Sequence, residues 1–224
     1  RVHRHLDGHP LFDNLFGRAT AYAIAVNEIN ARSGVIVACP TAGSCGILPG
    51  ILRAYVELSG ASEERILESL LVSGFLGMLL FNDVSTAGAD YARQAGIGSA
   101  AAMAAAPLAY LEAGDPDVVT QAFTLAIKNS LGLICDPVAG LVEVPCVKRN
   151  GVFASLAISA ALLALSGVRS AVSPDEVILT MREVGERINA DYKETARAGL
   201  AKTRDGKRVE RLFECEVQRF FGRP

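Results

Sequence analysis

The stretch VFASLAISAALLALSGV, Val152–Val168, contains no charged side chain and lies between Arg149 and Arg169. Its length is at the lower limit for a helix that crosses a bilayer, which needs about 20 apolar residues. Its serines and many alanines favour a helix buried in the core of a globular domain instead. Gly96–Leu111 has a similar composition and is interrupted by Pro107. We therefore predict two buried core helices, with a membrane-spanning role as the alternative.

Helix-start signals recur along the chain and predict an all-α fold. Gly114–Pro116 combines a glycine helix stop with an aspartate cap and a proline in the first turn. Ser173–Glu176 has the serine-to-glutamate spacing of a capping box, and Ser62 opens another helix. A further helix covers about Phe16–Asn30. Gly34–Ala38 could form a strand, but such stretches are too few for a sheet.

Segments rich in glycine and proline separate the predicted helices. They are Pro40–Gly50, Ser85–Gly98 and Asp136–Pro145. Turns of this kind leave backbone N–H groups free to hold a ligand. We predict a compact multi-helix domain in which these loops converge on one site. The predicted divisions are a polar N-terminal segment at 1–15, the helical domain at 16–202 and a charged C-terminal tail at 203–224.

The charge pattern and the cysteine count reduce the number of possible functional classes. The 224 residues include 22 basic and 24 acidic side chains, mixed along the chain, for a net charge of -2. Without a polybasic arm, nucleic acid and membrane surfaces are poor candidates as partners. Arg1–Pro10 is polar rather than a secretory signal. Five cysteines without an export signal argue against disulfides and for a cytoplasmic protein.

Cys135–Cys146, CDPVAGLVEVPC, is the most informative segment for chemistry. Two thiols bracket a turn that contains two prolines and a glycine, so the turn can bring both sulfurs to one site. Thiolates bind iron–sulfur clusters and other metals. The alternative is that these cysteines are small buried apolar residues. The spacing matches no standard ferredoxin or zinc-finger pattern, so metal binding stays open on composition alone.

Four ordered motifs resemble those of the iron–sulfur-dependent L-serine dehydratases. Cys135–Asn150 resembles the family's CDPV-G-V-VPC signature with its following Asn, and Ala25–Ala31 resembles its AVNE-NA helix. Pro40–Pro49 resembles its PT-G-CG--P loop, and Tyr192–Ala201 resembles its YKETSRGGLA segment. The resemblance covers about residues 16–202, the range predicted to be the helical catalytic domain.

The resemblance implies that the chain is the α-subunit, or helical catalytic domain, of a lyase that converts L-serine to pyruvate and ammonia. It implies a [4Fe–4S] cluster held by three cysteines, whose open iron acts as a Lewis acid on the substrate hydroxyl. Two of these cysteines are Cys135 and Cys146. The residues expected to bind the amino acid are Thr41, Ala42, Gly43, Ser44, Cys45, Gly46, Ser85 and Gly88.

The sequence departs from the family pattern at the third cluster cysteine, where Arg93 stands. Arginine is always charged and cannot bind iron. Either Cys39 or Cys45 supplies the third bond, or the cluster is altered or absent. A buried arginine also needs a counter-charge. We therefore expect Arg93 to pair with a carboxylate, with Asp90, Asp136 and Glu143 as candidates, or to bind an anion.

A second departure concerns the general base. The resemblance implies a Ser-rich motif with a histidine in a β-type domain, and the chain lacks it. Its histidines, His3, His5 and His9, lie in an N-terminal context that does not match. We therefore expect a β-type subunit or domain as partner, and an oligomeric enzyme. The alternative function is a non-catalytic or altered-cluster paralogue that binds an amino acid or a partner subunit.

Overall fold

The computed structural model describes residues 1–141 and 143–222, and the described chain is all-α as predicted, with no strand in these ranges. Val142 of the cysteine segment and Arg223 and Pro224 of the tail lie outside them. The helices are α1 (Val2–Leu6), α2 (Leu15–Ala31), α3 (Ile47–Ser59), α4 (Glu63–Asp83), α5 (Gly88–Arg93), α6 (Ser99–Ala113), α7 (Pro116–Lys128), α8 (Cys146–Leu165), α9 (Pro174–Arg187) and α10 (Arg204–Phe221).

Helix α6 is the centre of the fold. Nearly all of its side chains are buried, and α3, α4, α7 and α8 pack around it. Most of these side chains are alanine, and such small groups let neighbouring helix backbones approach closely. A π-helical turn, Gln94–Gly98, leads into α6, and Pro107 lies within it. The stretch predicted from sequence as a buried helix around Gly96–Leu111 is therefore confirmed.

The helix boundaries follow the local signals in the sequence. The side chains of Ser62, Asp115 and Ser173 each accept a hydrogen bond from a backbone N–H in the first turn of the helix that follows. This satisfies a donor that the helix itself leaves unpaired. Helix α6 ends at Ala113, and the C-cap residue Gly114 has a φ of 65°. By contrast Gly34–Ala38, which could have been a strand, is irregular.

Two helices, α4 and α8, are long and apolar enough to cross a membrane by length and composition alone. Within their apolar windows, 28% of α4 and 50% of α8 is buried inside the fold. Core helices of globular proteins pass the same test. Helix α8 contains the uncharged stretch Val152–Leu165, and its buried face packs on α2, α6 and α7.

The loops between these helices carry the motifs. A 3-10 turn, Ala42–Ser44, joins α2 to α3, and a loop with a second turn, Val138–Gly140, joins α7 to α8. The irregular segment after α9 includes the turns Ala190–Tyr192 and Gly199–Lys202. At the two ends of the chain, α1 lies within 1–15 and α10 lies within 203–222. The division of the chain at these points stays a prediction.

Gly50 and Gly74 provide a matched test of how tightly α3 packs on α2. A Cβ added at Gly50 would lie 2.6 Å from the backbone nitrogen of Ala23, whereas one added at Gly74 in α4 meets no atom within 4 Å. We expect Gly50→Ala to lower the free energy of unfolding by about 1–3 kcal/mol through overpacking. Gly74→Ala should raise it by about 0.5–1 kcal/mol through helix propensity. Urea unfolding followed by circular dichroism measures the free energy of unfolding of both variants. The same change in both would contradict the close packing of α3 on α2.

Candidate functional site

Asn150 joins the loop after α2 to the start of α8. Its Nδ2 donates to the carbonyl oxygens of Gly43, at 2.8 Å, and Cys146, at 2.9 Å. Its Oδ1 accepts from the backbone N–H of Gly46 at 3.0 Å. The side chain is fully buried. Because these bonds cannot be replaced by water there, Asn150 fixes the position of the Thr41–Gly46 loop relative to Cys146.

Asn27 holds the same loop from the side of α2. Its Nδ2 lies 3.3 Å from the carbonyl oxygen of Ala42, 3.2 Å from that of Gly43 and 3.6 Å from Cys45 Sγ. Asn30, one turn later, donates to Ala42 at 3.0 Å. The Oδ1 atom of Asn27 is buried and has no hydrogen-bond partner among the described residues.

The hydroxyl groups of the loop bind to one another. Thr41 Oγ1 and Ser44 Oγ lie 3.0 Å apart, and the backbone N–H of Thr41 donates to Ser44 Oγ at 3.3 Å. Ser44 also donates to the carbonyl oxygen of Cys39. The loop is therefore a small self-bonded turn. A Cβ at Gly96 would lie 3.2 Å from Thr41 Oγ1, so the turn before α6 packs directly on this loop.

Cys135 and Asp136 bind the segment that follows α9. The backbone N–H of Cys135 donates to the carbonyl oxygen of Tyr192 at 2.8 Å, and that of Glu194 donates to Cys135 at 3.1 Å. The buried Asp136 carboxylate accepts from Arg149 at 3.1 Å and from the backbone N–H of Leu200 at 2.9 Å. The CDPV and YKET motifs are thus neighbours in space.

Arg93 lies between these groups and is 5% exposed. Its Nη2 is 2.8 Å from Cys135 Sγ and 3.0 Å from Glu194 Oε1. A Cβ at Gly43 would lie 2.9 Å from Nη1. The Nε atom has no partner within the described chain. Three of the four motif segments therefore meet around one buried guanidinium, so the predicted convergence of the loops on one site is confirmed. The fourth segment, in α2, reaches the same loop through Asn27.

A carboxylate pairs with Arg93, as predicted, but it belongs to none of the three candidate residues. Asp90 accepts instead from Ser85 Oγ at 2.6 Å, and Asp136 pairs with Arg149. Glu143 is exposed. The partner is Glu194, which approaches Arg93 because the backbone pairing with Cys135 brings its segment there.

Two backbone outliers flank this ion pair. Ala92 has φ of 61° and ψ of −163°, a region occupied almost only by glycine, and Glu194 has φ of 61°. Each such conformation costs on the order of 1–3 kcal/mol and persists only where surrounding contacts impose it. Both residues that bring the Arg93–Glu194 pair together are therefore held in unfavourable geometry.

The sulfurs at this centre are thiols at neutral pH. Burial raises the pKa of Cys135 to about 12, although the Arg93 guanidinium opposes the rise. Burial likewise raises the pKa of Cys146. Burial disfavours the charged form of Arg93, but the two sulfurs and Glu194 outweigh it and raise its pKa. The carboxylate within ion-pair distance of Arg93 is that of Glu194, at 3.0 Å.

The residues present do not fit the three-cysteine cluster that the resemblance implies. A guanidinium occupies the place of the third ligand and donates to the sulfur of the first. Across residues 1–141 and 143–222, no group of three or more His, Cys, Asp or Glu side chains is arranged to hold a metal ion. Cys45 is buried next to Asn27, and burial raises the pKa of Cys39 to about 11. A third bond from either cysteine stays a prediction.

The remaining predicted substrate residues, Ser85 and Gly88, differ in solvent exposure. Gly88 is buried against Glu194, since a Cβ there would be 2.6 Å from Oε1. Ser85 is half-buried and accepts from the backbone N–H of Ala87 while it donates to Asp90. Sequence analysis did not identify Asn27, Asn150 or Glu194 as site residues. All three lie within the quoted motifs, which was the available signal.

Comparison with known proteins identifies relatives of this chain. A family model described as serine dehydratase alpha chain matches residues 1–201. The chain is 43% identical over 204 residues to the probable L-serine dehydratase alpha chain of Bacillus subtilis, covering 91% of this chain and 68% of that one. It is 44% identical to the probable L-serine dehydratase alpha chain of Latilactobacillus sakei, covering 84% of this chain and 90% of that one. The chain belongs to the serine dehydratase alpha chain family.

Other relatives are longer. The L-serine dehydratase of Streptomyces coelicolor is 46% identical over 184 residues, which cover 81% of this chain and 40% of that protein. The L-serine dehydratase 1 of Escherichia coli is 42% identical over 190 residues, 84% of this chain and 42% of that protein. The chain therefore spans about two-fifths of the length of these two enzymes.

Replacing Asn150 tests whether it holds the site together. We expect Asn150→Ala to lower the free energy of unfolding by about 3 kcal/mol, since it leaves Gly43, Cys146 and Gly46 backbone groups buried without partners. Asn129→Ala is the control, because Asn129 makes one side-chain bond, to Leu125 of its own helix; it should cost about 1 kcal/mol or less. Urea denaturation measures both, and an equal loss would contradict this role.

The raised pKa values predict cysteine reactivity. The thiolate is the reactive form, so at pH 8 iodoacetamide should modify the exposed Cys215 first and Cys39 more slowly. Cys135 and Cys146 should stay unmodified in the native protein and react in concentrated urea. Because pH 8–9 lies far below a pKa of about 12, the thiolate fraction of Cys135 should rise about tenfold per pH unit. Mass spectrometry of tryptic peptides checks this; native Cys135 labelling as fast as Cys215 would contradict it.

Proposed function

We propose that this chain is the alpha component of an L-serine dehydratase, a lyase that converts L-serine to pyruvate and ammonia. The support is twofold. Its relatives carry that name, and three of the four motif segments of the chain meet at one buried centre, with the fourth bonded to the loop at that centre. The single observation that carries the proposal is the meeting of these segments at Arg93, with Asn150 fixing the loop that contacts it.

The amino acid binds, in this proposal, where the Thr41–Gly46 loop, Gly88 and Arg93 come together. The reaction removes the α-proton and the β-hydroxyl, and the resulting enamine hydrolyses to pyruvate and ammonia. A [4Fe–4S] cluster would supply a Lewis acid for loss of the hydroxyl. Because Arg93 stands at the third ligand position, we derive no step through a cluster. The chain's own contribution is to bind and orient the substrate in a water-poor site.

A partner completes the proposed enzyme. Some relatives are named alpha chains, and others are more than twice as long as the matched region. We propose a β-type subunit or domain that supplies the Ser/His motif, because none of the histidines at positions 3, 5 and 9 lies at the centre around Arg93. An oligomeric enzyme in the cytoplasm is part of the same proposal; five free thiols suit a reducing compartment.

A second candidate function is an amino-acid-binding paralogue without dehydratase activity. The observation that favours it is the hydrogen bond from Arg93 to Cys135, because the guanidinium fills the place of a cluster ligand. In this case the fold and the loop would be retained for binding, and elimination of water would be lost. Iron content and turnover separate the two candidates.

The test is an assay of L-serine-dependent pyruvate formation after anaerobic iron–sulfur reconstitution. We expect turnover when the chain is combined with a β-type serine dehydratase chain, and none from either chain alone. The same preparation is assayed for iron and for the absorption shoulder of a cluster, in wild type and in Arg93→Cys. Absence of pyruvate in the wild-type combination, with pyruvate and a cluster gained in Arg93→Cys, would favour the non-catalytic paralogue. Full turnover by the chain alone would contradict the need for a partner.

A further inference from the structure

Arg93 is a buried cation whose donors are mostly unused. A guanidinium has five N–H groups. In the described structure Nη2 donates a hydrogen bond to Cys135 Sγ and forms an ion pair with Glu194, while Nε has no partner there. Nη1 lies against Gly43, which has no side chain to occupy the space. The positive charge is therefore fixed in place, and its ability to bind an anion is only partly satisfied.

Glu194 holds Arg93 through a single contact. One carboxylate oxygen reaches one guanidinium nitrogen, although arginine and carboxylate groups bind most strongly through two parallel bonds. Its side chain is 38% exposed, and its backbone is in the left-handed region, with φ of 61°. It also lies in the space that Gly88 leaves open. A carboxylate that is held this way is replaceable by one with better geometry.

A second unsatisfied group lies on the other side of Gly43. Asn27 is fully buried, its Nδ2 is 3.2 Å from the Gly43 carbonyl oxygen, and its Oδ1 is unpaired within the described ranges. Buried polar atoms without partners are rare in folded proteins and call for an explanation. Here the Nε donor of Arg93 and the Oδ1 acceptor of Asn27 have no partner among the described residues, and both side chains contact Gly43 through other atoms. A small ligand that carries both an acceptor and a donor would satisfy both.

We propose that the Arg93 guanidinium binds the α-carboxylate of the amino-acid substrate directly, and that Glu194 is an internal carboxylate which the substrate displaces. This inference rests on the proposed function, since it names how the same site recognises its ligand. The guanidinium then binds the substrate carboxylate at the position where the family resemblance implies a cluster ligand. Binding of the substrate carboxylate to Arg93 needs no metal.

The test uses the full chain, treated with a chelator and titrated with L-serine in a calorimeter. L-Serinamide, which lacks the carboxylate, is the matched ligand. We expect L-serine to bind the metal-free wild type and L-serinamide to bind at least about tenfold more weakly, since a charged hydrogen-bonded pair is lost. This comparison needs no variant and so does not depend on how any substitution folds.

Variants then assign the effect to the ion pair. Arg93→Gln should weaken L-serine binding about tenfold or more, and Glu194→Gln should tighten it because the competing charge is gone. Glu186→Gln is the control, since Glu186 pairs with Arg182 in an exposed i,i+4 contact on α9; it should bind as wild type does. Circular dichroism verifies that each variant is folded.

The inference and the proposed function can fail separately. If the reconstituted enzyme forms pyruvate but metal-free protein does not bind L-serine, or binds L-serinamide equally well, the inference is wrong and the function stands. If Arg93-dependent binding occurs without metal and no combination of chains forms pyruvate, the inference stands and the dehydratase proposal is wrong. Tighter binding in Glu186→Gln equal to that in Glu194→Gln would also overturn it, because the effect would then be one of net charge.

Discussion

The organisation of this protein depends on one buried carboxamide. Asn150 uses its donors and its acceptor inside the protein, where an unmade hydrogen bond cannot be replaced by water. Through it, a loop that follows α2 is held against the first turn of α8, more than a hundred positions later in the chain. Asn150 connects the Thr41–Gly46 loop directly to Cys146. Its hydrogen bonds therefore set the distance between this loop and the start of α8.

The second constraint is electrostatic. Removing an arginine from water is expensive unless a counter-charge and hydrogen bonds compensate for the loss. Here the compensation comes from one carboxylate and one thiol, which is a sparse set for a group that is only 5% exposed. Truncating either partner of such a buried pair is generally more harmful than replacing both, because a lone charge is left behind. We therefore expect a substitution of Arg93 or Glu194 alone to destabilise the fold more than a substitution of both together.

Much of the fold could be predicted from sequence because its signals are local. Ser62, Asp115 and Ser173 cap their helices, and the alanine-rich stretch of α6 is buried, as short-range patterns indicated. The partner of Arg93 could not be predicted in this way. Glu194 is a hundred residues away, and it reaches the site through backbone bonds to Cys135 that no local pattern records. Candidates near in sequence, such as Asp90, had partners of their own.

The attachment of Tyr192–Glu194 to Cys135 runs through main-chain atoms. Contacts of this kind do not depend on which side chains the segment carries. Substitutions at positions 192 and 193 can therefore accumulate during evolution without moving the segment that borders the centre, and paired changes at 194 and 93 keep the same backbone geometry. The architecture would keep presenting whatever side chain stands at 194 to whatever stands at 93. Related proteins could exchange the chemistry of this pair while inheriting its geometry unchanged.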